Sequence, residues 1–323
     1  MTNPHHSSRE LAERPRDYLG PNLNPNGLVL TPHRLGEGVY ALMANMAPKD
    51  NNGVIIGEKY ALVIDAGING AISRQIQDLV RQLTDKPLRY LVNTTYHGDH
   101  TFGNAAFPEE VTVISSRQNK ASMRDLDYEK KMRFGNLRGD QDVLADVTVW
   151  RRPDVVFEHF CAIDLGNKVV ELWHFGPGNA PGDTIVYEPE NKVAWTGNFL
   201  MAAGLPAMLL EGGPGPYIET LKATQAQLSI NTIVPGHGPM GEGKGSLEHF
   251  LAYMQSLQEQ VGKAFASGWS LEETLERAAQ PALLSLPASM PVTPESEALL
   301  VHLHRLNVLA TYREFEKGSS QKA

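Results

Sequence analysis

The chain has 323 residues, 41% hydrophobic and 20% charged, enough to bury a large core as one domain or as one domain plus a helical extension. Its formal charge of -8, with no Lys/Arg-rich stripe, argues against nucleic-acid binding. No stretch reaches ~18 apolar residues, so no membrane span is expected. One cysteine, Cys161, excludes an internal disulfide, and the N-terminus shows no apolar signal region, so a cytoplasmic protein is expected.

Residues 1–27 are polar and rich in Pro and Asn, and read as an arm packed on the body or on a partner subunit. Strands follow at 39–43, 53–56 and 61–65, separated by the turns Asn51-Asn52-Gly53 and Gly57-Glu58-Lys59. From Ser73 to Leu83, Ile76, Leu79, Val80 and Leu83 share one helical face. Strands at 89–93 and 111–115 come next, and the charged stretch 117–148 reads as helical. The second half repeats this logic, with strands at 168–174, 183–187, 192–196 and 231–237 around a helix at 217–228. The last 80 or so residues read as helical, with a capping box at Ser270-Leu-Glu-Glu273. Two groups of strands with helices between them predict an α/β fold of two facing sheets with helices outside. The expected division is an arm at 1–27, a main domain at 28–245 and a helical extension at 246–323.

Three separated segments carry candidate ligands at strand ends. In Asn93-Thr-Thr-Tyr-His-Gly-Asp-His-Thr-Phe-Gly-Asn104, His97, Asp99 and His100 sit within four residues, straight after Tyr90-Leu91-Val92. The others are Gly197-Asn198 and Pro235-Gly-His237. Imidazoles and a carboxylate converging on one point are what a borderline-soft divalent metal needs. Glycines beside them allow tight turns and close backbone approach.

This order of motifs resembles the metallo-β-lactamase superfamily over roughly residues 33–260. The family's pattern is His-x-His-x-Asp-His, a His in a Gly-rich turn, Gly-Asp, then Gly-His-Gly. The resemblance implies a four-layer αββα sandwich, and it gives Asp65, in Val63-Ile-Asp-Ala-Gly67, a supporting place behind the ligands. Thr95 and Asn179 stand where the family has two histidines of its first metal site, and Asn198 replaces the bridging aspartate. The resemblance therefore implies one Zn2+ per chain, held by Asp99, His100, Asn198 and His237. With a single anionic ligand such a site keeps a charge near +1, which polarises its water strongly. His97, released from a first metal, becomes a candidate general base or acid. Asp99 shares the catalytic site as a ligand. Thr95 and Asn179 become candidate substrate contacts, as do Met201 and Met208 in the apolar segment 199–210.

The single-zinc pattern with an Asn ligand is most similar to the chlorothalonil hydrolytic dehalogenases, which replace an aromatic chloride by hydroxide from a zinc-bound water. The resemblance implies a small chlorinated aromatic nitrile as substrate, with a homodimer possible and no nucleic acid or membrane as partner. A mono-zinc hydrolase of a carbonyl substrate (β-lactam, lactone or thioester) and a non-catalytic metal-binding protein are the alternatives. No Lys or Arg stands beside the motifs in sequence to stabilise an oxyanion. Cys161 reads as a buried small hydrophobe. Asp183 reads as structural, and His159, His174, His302 and His304 as packing or surface.

Overall fold

Short apolar runs bounded by turn residues pair here with their neighbours in chain order. The computed structural model describes residues 20–209, 213–277 and 281–320. In it, β1 (Leu30–Gly36), β2 (Val39–Ala44), β3 (Asn52–Ile56), β4 (Ala61–Ile64), β5 (Leu88–Val92), β6 (Thr112–Ser116) and β7 (Val155–Phe157) form one sheet in that order. β2 to β4 run antiparallel as the expected meander, β1 adds to it antiparallel at the edge, and β4 to β7 run parallel. A second sheet, also in chain order, holds β8 (Phe160–Asp164), β9 (Val169–Trp173), β10 (Ile185–Glu188), β11 (Val193–Gly197), β12 (Thr232–Pro235) and β13 (Gly241–Glu242). Its parallel pair is β11 and β12.

The helices are α1 (Gly70–Leu83), α2 (Gly98–Thr101), α3 (Arg117–Ser122), α4 (Leu126–Arg133), α5 (Pro214–Gln227), α6 (Gly243–Ala266), α7 (Leu271–Arg277) and α8 (Pro294–Ser320). Strand alternation places them. Leu42, Val54, Val63 and Leu91 turn to one face and pack with Ile72, Ile76 and Val80 of α1. Ala41, Ile55, Leu62 and Val92 turn to the other and meet Leu172, Val186, Trp195 and Val234 of the second sheet. The outer face of that sheet, with Ile185, Ala194 and Ile233, packs with Tyr217, Phe250, Tyr253 and Val308 of α5, α6 and α8. Three cores therefore separate four layers, and the fold is the αββα sandwich with a helical C-terminal region. Caps support it locally. The Asn69 side chain accepts from the Ile72 N–H and so closes the start of α1, an interaction typically contributing about 1 kcal/mol. The capping box is present, with Ser270 and Glu273 each receiving the other's backbone N–H.

Some expectations needed correction. Residues 117–148 are α-helical only in α3 and α4; the rest is short 3₁₀ turns and irregular chain, with Arg138 at φ +54° and Gly139 at φ +81° breaking the run. β1 escapes pattern reading because Pro32 and polar residues break its alternation, which an edge strand tolerates. Cys161 is half-buried on the outermost strand of its sheet. Of the arm, residues 1–19 lie outside the described residues. Residues 20–27 lie on the body, where the Leu23 N–H donates to Asn136 O at 2.8 Å. Among the described residues no helix is long and apolar enough to cross a membrane.

Candidate metal centre

Every ligand candidate sits just past the end of a strand. β5 runs into the loop 93–97 and the single turn of α2, which carries Asp99 and His100. β11 ends at Gly197 and delivers Asn198, and β12 delivers His237. Gly197 has φ +52°, and a Cβ there would stand 2.3 Å from the Thr94 hydroxyl. A Cβ at Gly236 would stand 2.7 Å from His100 Cε1. Both positions need glycine so that chains from the two sheets can close on one point. Asn51 stitches that junction, donating from its backbone to Gly236 O and from its side chain to Pro235 O and Gly238 O.

Asp99, His100, Asn198 and His237 converge. Asp99 Oδ2 lies 3.5 Å from His100 Nε2 and 3.3 Å from His237 Nε2. Asn198 Oδ1 lies 3.2 Å from His100 Nε2. Asp99 Oδ2 is buried and has no hydrogen-bond donor among the described residues. An orphaned buried carboxylate oxygen ringed by two imidazole nitrogens and an amide oxygen fits a divalent metal ion such as zinc. The far nitrogens are also committed. His100 Nδ1 meets Asp65 Oδ2 at 2.9 Å, and His237 Nδ1 meets Pro48 O at 2.9 Å and Asp50 Oδ1 at 3.1 Å. A carboxylate on the second nitrogen fixes ring orientation and the nitrogen that faces the metal.

Asp50, Asp99, His100 and His237 form a possible ion-binding group, with one donor atom each inside 4.8 Å. Asp50 was missed in the sequence. It faces the side of His237 turned away from Asp99, so its place is behind the ligand. Asp65 holds its position at φ +60°, strained for a non-glycine residue by about 1–2 kcal/mol. Asn52 Nδ2 donating to its carbonyl, and Thr94 donating to both carboxylate oxygens, hold it there.

His97 is buried, and its Nδ1 lies 3.0 Å from Asn198 Nδ2. The Asn198 amide thus joins His97 to the cluster, its oxygen toward His100 and its nitrogen toward His97. Thr95 is fully buried and is not among the residues lining the cavity described below. Among the described residues, Thr95 Oγ1, Asn179 Oδ1 and Asp183 Oδ1 are buried without a hydrogen-bond partner of good geometry. Burial pushes the Asp183 carboxyl up to about 7, against backbone donors of Ala180 and Asn179. Among the described residues, no second group of His, Cys, Asp or Glu side chains gathers to hold another ion.

An apolar cavity opens over Asn198 and His237. Met201, Leu205, Met208 and Asn179 line it from one side, and Met290, Leu299 and Leu303 from the C-terminal region. Of the segment 199–210, Leu210 lies outside the described residues. Asn307 of α8 fixes 207–209 through its side chain, donating to Ala207 O and accepting the Leu209 N–H. A second cavity of 230 Å³, reached past Pro21, Pro48, Met290 and Leu299, is lined by Lys49, Arg138, Glu295 and His302. The sequence showed no basic residue near the motifs, but the fold brings one: Arg133 Nη1 lies 3.3 Å from Asp99 Oδ1.

The electrostatics of the apoprotein give a testable pH dependence. Burial opposes charge on His100, but Asp65 and then Asp99 overcome it and raise its pKa to about 9. For His237, burial is overcome by Asp50 and Asp99, to about 10. At neutral pH zinc must therefore expel a proton from each ring. Zinc affinity should rise with pH toward 9, by at most roughly a hundredfold per pH unit for two protons. The same protons stabilise the apoprotein fully below 6.5, and that contribution is lost as pH rises through 9 to 10. Chelator competition at pH 6, 7 and 8 checks this; a flat profile contradicts it.

Comparison with known proteins agrees with this fold. The chain is 21% identical over 255 residues to the linear primary-alkylsulfatase of Pseudomonas sp. (strain ATCC 19151), covering 68% of this chain and 48% of that one. It is 22% identical over 209 residues to the metallo-beta-lactamase type 2 of Bacillus sp. (strain 170), covering 62% of this chain and 71% of that protein. The chain thus spans about half the length of the alkylsulfatase. Among solved structures, a stereoselective inverting sec-alkylsulfatase from Pseudomonas sp. superposes with a TM-score of 0.66 at 16% identity, over 89% of this chain and 50% of that one. A metallo-beta-lactamase from Pontibacter korlensis gives 0.53 at 18%, over 70% of this chain and 99% of that one. The family model for the metallo-beta-lactamase superfamily matches residues 49–237, more than half of the sequence and all four convergent residues, so the chain belongs to that superfamily.

Proposed function

We propose that the chain is a hydrolytic dehalogenase that uses one zinc, at Asp99, His100, Asn198 and His237, to replace an aromatic chloride of a chlorothalonil-like nitrile by hydroxyl. The observation that carries this reading is the cavity over Asn198 and His237. Apart from those two residues and Asn179, its walls are apolar, with Met201, Leu205, Met208, Leu299 and Leu303, and no Lys or Arg among the described residues lines it. Such walls suit a flat, neutral, halogenated ring.

Zinc bound here supplies a Lewis acid and lowers the pKa of a water. The new hydroxyl oxygen comes from water, and chloride leaves with the electron pair of its bond to carbon. His97, whose Nδ1 accepts the Asn198 amide N–H, is the imidazole beside the cluster that takes the water's proton as that N–H is released. The apolar walls exclude bulk water and hold the ring over the centre. One feature favours a carbonyl substrate as second reading: Lys49 and Arg138 in the adjoining cavity could hold the carboxylate of a β-lactam.

The test is chloride release from chlorothalonil by zinc-loaded protein, with zinc counted by elemental analysis. The expected result is stoichiometric chloride and about one zinc per chain. Zinc-loaded protein that releases no chloride would overturn the dehalogenase reading, and hydrolysis in a panel of β-lactams, lactones and thioesters would then favour the second. Two tightly held zincs would overturn the single-ion site.

A further inference from the structure

The buried ions beside Asp99 do more than fill space. Asp99, Glu129 and Arg133 are buried, and Arg133 joins the two carboxylates. Its Nη1 donates to Asp99 Oδ1 at 3.3 Å, and its Nε pairs with Glu129 Oε1 at 3.1 Å. Glu129 Oε1 also accepts the backbone N–H of Gly98 at 2.8 Å. The chain of contacts therefore leaves α2 at Gly98, passes through Glu129 and Arg133 on α4, and returns to α2 at Asp99. The two oxygens of Asp99 are thereby given separate work. Oδ1 is tied to Arg133, and Oδ2, without a donor of its own, faces His100 Nε2 and His237 Nε2.

We propose that Arg133, anchored by Glu129, is a positioning residue that holds Asp99 to one-oxygen ligation through Oδ2 and keeps part of its charge from the metal. This rests on the single-zinc reading of the centre. Two consequences follow from the geometry. With Oδ1 bound elsewhere, the carboxylate cannot swing to embrace an ion with both oxygens. With a guanidinium sharing its charge, it neutralises the ion less, which preserves electrophilicity. Neither feature follows from the ligand motif itself. Both come from a helix whose sequence carries no ligand. Glu129 balances Arg133, so the clamp adds no net charge to the site.

Replacing Arg133 alone with an apolar residue strands Glu129, and an uncompensated buried charge can prevent folding. The paired change Glu129→Gln with Arg133→Met avoids this. Both charges go together, and the glutamine keeps an oxygen for the Gly98 N–H. Replacing a buried ion pair as a unit is often neutral for stability. Arg133→Lys is the companion, since it keeps the charge but cannot bridge both carboxylates.

Zinc affinity, by chelator competition, and the visible ligand-field spectrum of the cobalt(II)-loaded protein are measured for the parent and both variants, alongside thermal unfolding. The paired variant is expected to fold and to bind zinc about tenfold more tightly, because the released carboxylate offers the ion both oxygens and its full charge. Its cobalt bands should weaken, because a released carboxylate raises the coordination number. Arg133→Lys should show a smaller gain of affinity than the paired variant. If the paired variant does not fold, Arg133→Lys decides alone, by raised affinity with an altered cobalt spectrum. Parent-like affinity and spectrum in the folded variants would overturn the role of Arg133. A parent protein that binds no zinc would overturn the metal site instead.

Discussion

His100→Ala is expected to remove zinc and turnover together while leaving the fold in place. The imidazole is fully buried between Asp65, at 2.9 Å from Nδ1, and the cluster, at 3.2 Å from Asn198 Oδ1 and 3.5 Å from Asp99 Oδ2. Its loss takes one of two neutral nitrogen donors from the centre. Removing a supporting partner of a ligand costs about 10- to 100-fold in affinity or activity, so loss of a ligand exceeds that, and a fall in chloride release of roughly a thousandfold or more follows. Asp65 keeps the backbone and hydroxyl donors of Thr94, so its carboxylate is not left bare. The folding cost combines the cavity, about 2–4 kcal/mol if it behaves like other large-to-alanine core changes, with loss of the buried charge pairing to Asp65 and Asp99. Zinc analysis, chloride release and circular dichroism on the purified variant check the three parts separately. A folded variant that keeps zinc and turns over would remove His100 from the centre.

Asn198→Asp is expected to tighten zinc and slow turnover. The amide serves two neighbours, with Oδ1 toward His100 Nε2 and Nδ2 at 3.0 Å from His97 Nδ1. A carboxylate can still offer oxygen to the metal but has no N–H for His97. It would also put a second anion beside Asp99. A doubly neutralised ion is a weaker Lewis acid and holds its water's proton more firmly. His97 would face an anion instead of an amide donor, and an anion favours its protonated form. A ring already carrying the proton cannot accept another, so the acidic limb of the pH–rate profile should move to higher pH. Turnover should fall about a hundredfold, the lower end of what a general base contributes. Tighter zinc with unchanged kcat would show that neither electrophilicity nor the His97 contact limits the reaction.

The candidate ligands are legible because their constraints are local. Asp99 and His100 announce themselves by residue type and by the apolar run before them. Asn198 and His237 do so by the glycines that let β11 and β12 end in tight turns, such as Gly197 at φ +52°. The alternation that makes both faces of β2 to β5 apolar gave the sheets and, with the intervening helices, the four layers. The stretch 117–148 is legible as charged and helical, but its contact with Asp99 is not. Arg133 lies 34 residues from Asp99, and nothing near either residue marks the pairing.

What the amino-acid sequence determined by itself was the type and order of the candidate metal-binding side chains, the strand-end loops that carry them and the absence of a second set of histidines. These depend on hydrogen-bonding and ligand chemistry within a few residues. Only the tertiary structure decided which groups stand behind and above them. Asp50 on His237, Glu129 and Arg133 on Asp99, and Leu299 and Leu303 of α8 over the cavity are all examples. So is Asn307, which reaches back 98 residues to hold Leu209. Their environment is set by packing between layers. A buried charge or an apolar wall acquires its effect from what it touches, and contacts across layers are not encoded in any local pattern.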